Sequence, residues 1–305
     1  MYYTCIGTGI HQILQQEGAE WRRILLEMIT AEKRYALRPE EVAFYREQGY
    51  LHIPGVLEPA EVDYLRAEAH ALIQRLAASR GGEQAVQAQW GSARLITDLP
   101  TTLLHCHNVQ FHSAAFTRLL CDPRLTDRIA DLIGPNIQLH HTKLFIKPPE
   151  RGAPFPLHQD YPYFPHEKHT MLAAIFFFDD APPEKGCLCV VPGSHKLGPL
   201  PHEPEGGWHL PVEQYPLEMA VPVPARAGDV VVFNYLTIHG SGVNRTDEAR
   251  TTLLVQMRDP TDHPTVATHL SRGQGMMLRG IDPEADAGPH TDSASRYLAT
   301  LTAGG

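Results

Sequence analysis

The spacing of apolar residues changes along this chain, and the change divides it. Between residues 10 and 36, Ile13, Leu14, Trp21, Ile24, Leu25, Met28 and Ile29 recur at roughly helical spacing. Pro39-Glu40-Glu41 opens a second, shorter helix, with proline near the first turn and acids that suit the helix dipole. That helix carries Val42, Phe44 and Tyr45 and stops near Gly49. Tyr50-Leu51-His52-Ile53-Pro54 alternates as a short strand. Residues 59–78 then place Val62, Leu65, Ala69, Leu72, Ile73 and Leu76 on one helical stripe, ended by Arg80-Gly81-Gly82. The segment up to Gln110 has no clear period; it holds Trp90, His105, His107 and Asn108, residue types suited to covering a pocket. Two short helices are expected over 113–120 and 124–133, closed by Gly134-Pro135-Asn136.

After Asn136 the strands begin. They are expected over 137–147, around His158, and over 171–178, 187–191, 219–223, 229–235, 237–241 and 250–258. Turn signals at Asp179-Asp180-Ala181-Pro182-Pro183, Gly228-Asp229 and Asn244-Arg245-Thr246-Asp247 separate several of them. Pro/Gly-rich loops fill 148–156 and 192–216. Many short strands preceded by helices indicate a mainly β chain with helical additions, a barrel or jelly roll with helical support. The expected division is an N-terminal helical extension (1–37), a main domain (38–260, with its β core at 137–258), and a turn-rich tail (261–305) packed on that domain, with one short helix at 293–302.

Composition narrows the class. The 305 residues are 43% hydrophobic and 20% charged, an ordinary globular balance. A formal net charge of −9 argues against nucleic-acid or anionic-membrane binding. No apolar run approaches the ~20 residues of a membrane span. The N-terminus lacks the basic and apolar regions of a signal peptide. Five cysteines, an odd number without a C-x-x-C pair, suit a reduced, cytoplasmic protein, with Cys187 and Cys189 as core residues. Oligomeric state is not written in the pattern.

The chemistry centres on Leu157-His158-Gln159-Asp160-Tyr161. In a strand, His158 and Asp160 share one face. A third ligand is available in Leu236-Thr237-Ile238-His239-Gly240-Ser241-Gly242. Two histidines and a carboxylate with open positions form the facial triad of non-haem Fe(II) oxygenases. Arg250 follows at the head of the last apolar strand, where its guanidinium suits bidentate capture of a carboxylate. Ser241 could add a hydroxyl. Most of the remaining histidines read as structural or surface residues, and His195 as a residue that fixes its loop. His140 and His141 are adjacent, so a regular strand would turn only one toward a pocket.

Together, His158-Gln159-Asp160, Gly186-Cys187-Leu188, Pro192-Gly193-Ser194-His195, Gly228-Asp229, His239-Gly240-Ser241-Gly242 and the distal Arg250 resemble the phytanoyl-CoA dioxygenase family of Fe(II)/2-oxoglutarate-dependent oxygenases. Phe44 to Tyr50, through Pro54-Gly55-Val56, is similar to that family's entry segment. The likeness covers about residues 38–260. It implies a double-stranded β-helix, a cupin-like jelly roll with the metal at its open end. It implies that His158, Asp160 and His239 bind Fe(II), that Arg250 and Ser241 bind the distal carboxylate of 2-oxoglutarate, and that Lys143 contacts this cosubstrate or an acidic substrate. Where some relatives carry Asn as a cosubstrate contact, this chain has Phe145. Tyr161, Tyr163 and Phe164 correspond to positions that wall the substrate pocket in relatives, and Gln110 and His141 are further substrate candidates.

The implied reaction consumes O2 and 2-oxoglutarate, releases succinate and CO2, and hydroxylates an unactivated C–H bond. Halogenating relatives replace the ligand carboxylate with a small residue, so Asp160 points to hydroxylation. The absence of an obvious basic cluster for a CoA 3′-phosphate favours a small free metabolite. A zinc hydrolase built on the same three ligands, and a non-catalytic jelly-roll binding protein, are the competing readings.

Overall fold

The computed structural model describes residues 35–285, apart from 89, 90, 267, 269 and 272. The helix expected over 10–36, save for Tyr35 and Ala36, and the terminal helix at 293–302 lie outside the described residues. Helix α1 (Pro39–Gln48) starts at a proline, with Glu41 Oε2 accepting from the Arg38 backbone N–H at 2.8 Å. Gly49 ends it at φ 79°, the left-handed conformation that glycine adopts without strain. Strand β1 (Tyr50–Ile53) follows, then α2 (Pro59–Ser79), which buries Val62, Leu65, Ala69, Leu72 and Ile73. The segment of unclear period contains short 3-10 turns and a strand, β2 (Leu104–His107). Helices α3 (Ala114–Leu120) and α4 (Pro123–Ile133) are capped by Ser113 and Asp122.

The β half contains β3 (Ile137–Lys147), β4 (Phe155–His158), β5 (Leu172–Phe177), β6 (Leu188–Val190), β7 (Val221–Val223), β8 (Val230–Asn234), β9 (His239–Ser241) and β10 (Arg250–Arg258). A further strand, β11 (Met277–Arg279), falls in the stretch read from sequence as a turn-rich tail and pairs with β3. The major sheet runs β1-β8-β5-β10-β3-β11, with β2 also on β3, and the minor sheet runs β4-β9-β6-β7. The pairings between these strands are antiparallel.

Strand alternation sets the two faces of the major sheet. Leu172, Ala174, Phe176, Val230, Val232, Leu253 and Val255 pack with the helices in the larger core. Their neighbours Ala173, Phe177, Val231 and Phe233 turn toward the minor sheet. Each large apolar side chain so buried contributes roughly 1.5–3 kcal/mol. The helices therefore close one face and leave the other free to wall a cavity. Strand β3 breaks the alternation once. The register moves from Met257↔Leu139 to Gln256↔His141, so His140 is the extra residue of a β-bulge. The expectation that one of His140 and His141 turns toward a pocket does not hold: neither lines the cavity described below. Both are buried, their Nδ1 atoms lie 2.6 Å apart, and both rings pack on Phe164.

Candidate active site

His158 ends β4 and His239 begins β9, and the two stand opposite each other in the register of that pair. Their ring centroids are 4.2 Å apart. Gly240 permits this approach: a Cβ there would sit 2.6 Å from the carbonyl oxygen of Phe155. Asp160 joins them differently from the sequence expectation. The strand stops at His158, and Asp160 has φ −75° and ψ −19°, at the entry to the 3-10 turn Tyr161–Tyr163. A turn, not strand alternation, brings the carboxylate beside the imidazole. Its backbone N–H donates to the Tyr235 carbonyl at 2.9 Å, which anchors the turn to the segment leading into β9.

Asp160 Oδ1 lies 3.9 Å from His158 Nε2 and 3.8 Å from His239 Nε2. His158 Nδ1 donates to the Pro156 carbonyl at 2.8 Å and His239 Nδ1 to the Thr237 carbonyl at 2.9 Å. Each bond places the proton on Nδ1 and turns the Nε2 lone pair toward the carboxylate. Burial, and then the charge of His239, holds the His158 imidazole well below its ordinary pKa, so it stays neutral as a ligand must. Gln256 Nε2 donates to Asp160 Oδ2 and leaves Oδ1 toward the histidines. Two imidazoles and one carboxylate, with ligand atoms all within 4.8 Å of one another, fit a divalent transition ion that keeps open positions.

Gln159, between the ligands, is fully buried. Its Nε2 donates to the carbonyls of Leu236 (2.7 Å) and Gly198 (2.9 Å), and its Oε1 accepts from the Leu200 N–H (2.9 Å). The Pro192-Gly193-Ser194-His195 turn also has structural work. Ser194 Oγ accepts from the Ile238 N–H at 2.8 Å, and His195 Nε2 lies 3.1 Å from the Arg46 carbonyl.

The cavity runs from this cluster between the two sheets. Lys143, Phe145, Arg250, Thr252, Leu254 and Gln256 line it from β3 and β10, and Phe155, His158, Leu188, His239 and Ser241 from the minor sheet. Arg250 is buried at the end away from Gln256, and burial draws its pKa down to about 10. Its NH1 donates to the Gly186 carbonyl, while its Nε is buried without a hydrogen-bond partner. Lys147, behind the lining, donates from Nζ to Ser241 Oγ at 2.8 Å and to the Gly242 carbonyl at 2.6 Å. The Ser241 hydroxyl proton is thereby free for an acceptor in the cavity. An orphaned guanidinium N–H and a poised hydroxyl fit a carboxylate ligand.

The structure thus brings His158, Asp160, His239, Arg250, Ser241 and Lys143 onto one cavity. Tyr161, Phe164, Gln110 and His141 stand outside its lining. Tyr161 packs on Tyr235 and His169. Phe164 is sealed under His140 and His141. Gln110 Oε1 accepts from Thr142 Oγ1 at 2.8 Å. Of Tyr161, Tyr163 and Phe164 only Tyr163 reaches the cavity, joined by Ser92, Gly207 and Trp208. Gln256 and Lys147 join the site beyond the residues expected from the sequence, and strand parity marks both. Gln256 is at an even step from Arg250 on β10, and Lys147 is at an even step from Lys143 on β3.

The family model for phytanoyl-CoA dioxygenase (PhyH) matches residues 45–252. The chain is 31% identical to the peroxisomal phytanoyl-CoA dioxygenase of Rattus norvegicus over 229 residues, 69% of this chain and 65% of the rat protein, just under two thirds of its length. It is 26% identical to the ectoine dioxygenase of Stutzerimonas stutzeri, over 70% of this chain and 74% of that protein. Among solved structures, the epimerase SnoN in complex with Fe3+, alpha ketoglutarate and nogalamycin RO is similar at TM-score 0.61 and 30% identity, covering 79% of this chain and 98% of that one.

Proposed function

Because the chain belongs to the phytanoyl-CoA dioxygenase family, we propose that it is an Fe(II)- and 2-oxoglutarate-dependent dioxygenase that hydroxylates an unactivated C–H bond of a small-molecule metabolite. The observation that carries the reading is one cavity with the His158/Asp160/His239 cluster toward one end and the buried, half-satisfied guanidinium of Arg250 at the other.

His158, Asp160 and His239 hold the iron. Arg250 Nε and the Ser241 hydroxyl hold the distal carboxylate of 2-oxoglutarate, and Lys147 orients that hydroxyl. When bound, iron supplies the oxidation of substrate by O2, coupled to conversion of 2-oxoglutarate into succinate and CO2. The protein supplies position and dryness. Phe145, Phe155, Phe177 and Phe233 wall the cavity and exclude water from it. Gln256 keeps the Asp160 carboxylate in one orientation. The carboxylate at position 160 occupies the place a halide needs, which favours hydroxylation over chlorination. A zinc hydrolase on the same ligands would leave the Arg250–Ser241–Lys147 end without a task.

Anaerobic addition of Fe(II) and 2-oxoglutarate tests the reading. The expected result is the weak visible metal-to-ligand charge-transfer band of chelated 2-oxoglutarate. A folded, iron-loaded protein without that band would sink it.

A further inference from the structure

Asp160 receives a hydrogen bond from one end of the Gln256 amide, and the other end is left over. Gln256 is buried and lines the cavity with Arg250, Thr252 and Leu254, its neighbours at even steps on β10. It stands six residues from Arg250, roughly 20 Å along the strand. Its Nε2 donates to Asp160 Oδ2, and its Oε1 is buried with no hydrogen-bond partner among the described residues.

The two ends of this amide are not interchangeable. An ionised carboxylate only accepts, so the NH2 end of Gln256 faces Asp160 and the carbonyl end faces away. Turning the amide over would set two oxygens against each other. Nitrogen and oxygen of a primary amide are ~2.3 Å apart, which keeps Oε1 within about 5 Å of Asp160 Oδ2. The Tyr163 hydroxyl, which shares the cavity lining, is engaged elsewhere, on the Trp208 carbonyl at 3.4 Å. A buried acceptor without a donor is unfavourable, and a ligand that brings the donor removes that penalty.

On the dioxygenase reading above, 2-oxoglutarate extends from the metal ligands toward Arg250, which leaves the Gln256 end to the other reactant. Lys143 and Arg250 line the cavity and Lys147 is buried behind it, so like charge disfavours a cationic donor. We propose that the substrate carries a neutral O–H or N–H group, that this group donates to Gln256 Oε1, and that the bond holds the neighbouring C–H beside the metal centre. Gln256 thus determines specificity. Its nitrogen orients a metal ligand, and its oxygen orients the substrate.

The test uses the protein loaded anaerobically with saturating Fe(II) and 2-oxoglutarate, with loading read from the charge-transfer band in every sample. 3-Phenylpropan-1-ol and 3-phenylpropanamide offer an O–H and an N–H donor, and 1-fluoro-3-phenylpropane matches the alcohol in size without one. Binding is read from tryptophan fluorescence, since Trp208 lines the cavity. The wild type is expected to bind at least one donor probe about fivefold tighter than the fluoride, the scale of one neutral hydrogen bond. The tighter of the two names the donor. Gln256→Leu removes the preference while the band persists, and Gln256→Glu, which keeps an oxygen in place, retains it. Equal or undetectable binding of the three probes by the wild type overturns the proposal, as does a preference that survives in Gln256→Leu. Loss of the preference in both variants reduces Gln256 to packing and also overturns it. Absence of the band in the wild type is a separate outcome, which removes the dioxygenase reading and this inference together.

Discussion

Lys147 and Arg250 stand directly opposite each other in the β3–β10 register, two buried cations facing across one rung of the ladder. Like charges so placed repel. Burial draws Arg250 down to about 10, and burial followed by the charge of Arg250 holds Lys147 well below its usual value. On the proposed reading, a carboxylate bound at this end would offset that repulsion.

2-Oxoglutarate should therefore stabilise the fold. At a hundred times its Kd, a ligand specific to the native state adds about 2.7 kcal/mol. Arg250→Ala should raise the half-saturating 2-oxoglutarate concentration about tenfold to hundredfold, from the loss of a charge-assisted hydrogen bond. Thermal denaturation with and without 2-oxoglutarate checks both, and an unchanged requirement in the variant removes Arg250 from the clamp.

Gln256→Leu keeps the side-chain bulk and loses the donor to Asp160 Oδ2. Iron affinity should fall about tenfold, the lower end of what an outer hydrogen-bond partner of a metal ligand contributes. Equilibrium dialysis against Fe(II) measures it. Affinity equal to the wild type would mean that the amide only fills space.

Gly240→Ala presses a methyl group against the Phe155 carbonyl and spreads β4 from β9. Overpacking of this kind costs about 1–3 kcal/mol. Because His158 and His239 sit on those two strands, iron retention should drop together with the unfolding midpoint. Loss of stability with full retention of iron would show that the strands give way elsewhere.

Acid should destabilise the metal-free protein through its buried histidines. His166 is held down to about 4, chiefly by burial, with Nδ1 donating to the Phe164 carbonyl at 2.8 Å and Nε2 buried without a hydrogen-bond partner. Its folded pKa lies below the unfolded value of about 6.5, so the unfolded chain takes up the proton first as pH falls. The stabilising contribution is complete above about pH 6.5 and is lost progressively as pH falls toward 4. Burial lowers His105 and His202 in the same direction. Urea midpoints at pH 7.5 and pH 5 should differ, and His166→Phe should narrow the gap.

Much of this arrangement is legible in the residues because it follows from period and chain punctuation. The α2 stripe, the capped helices α1 and α4, and the full extents of β3 and β10 can be read from pattern alone. The three metal-ligating candidates are legible from type and spacing, but the reason they meet is not. Asp160 reaches His158 through a helical-region turn fixed by the Tyr235 carbonyl, a partner distant in sequence. The substrate wall was harder to read for a related reason. The bulge at His140 shifts the parity of β3, and Phe164 and His141 pack on each other and do not line the cavity. β11 is short and takes its stability from pairing with β3, so its own sequence carries little strand signal.

Gln159 gives the site a mechanical property. The peptide that carries both His158 and Asp160 is tethered through a single amide side chain to residues 198 and 200 on one side and 236 on the other. The same 192–216 loop region reaches the cavity mouth at Gly207 and Trp208. A displacement of residues 198–200 therefore pulls on the spacing between two candidate metal ligands. Gln159→Ala should uncouple them, leaving the loop free to shift without straining the centre it covers.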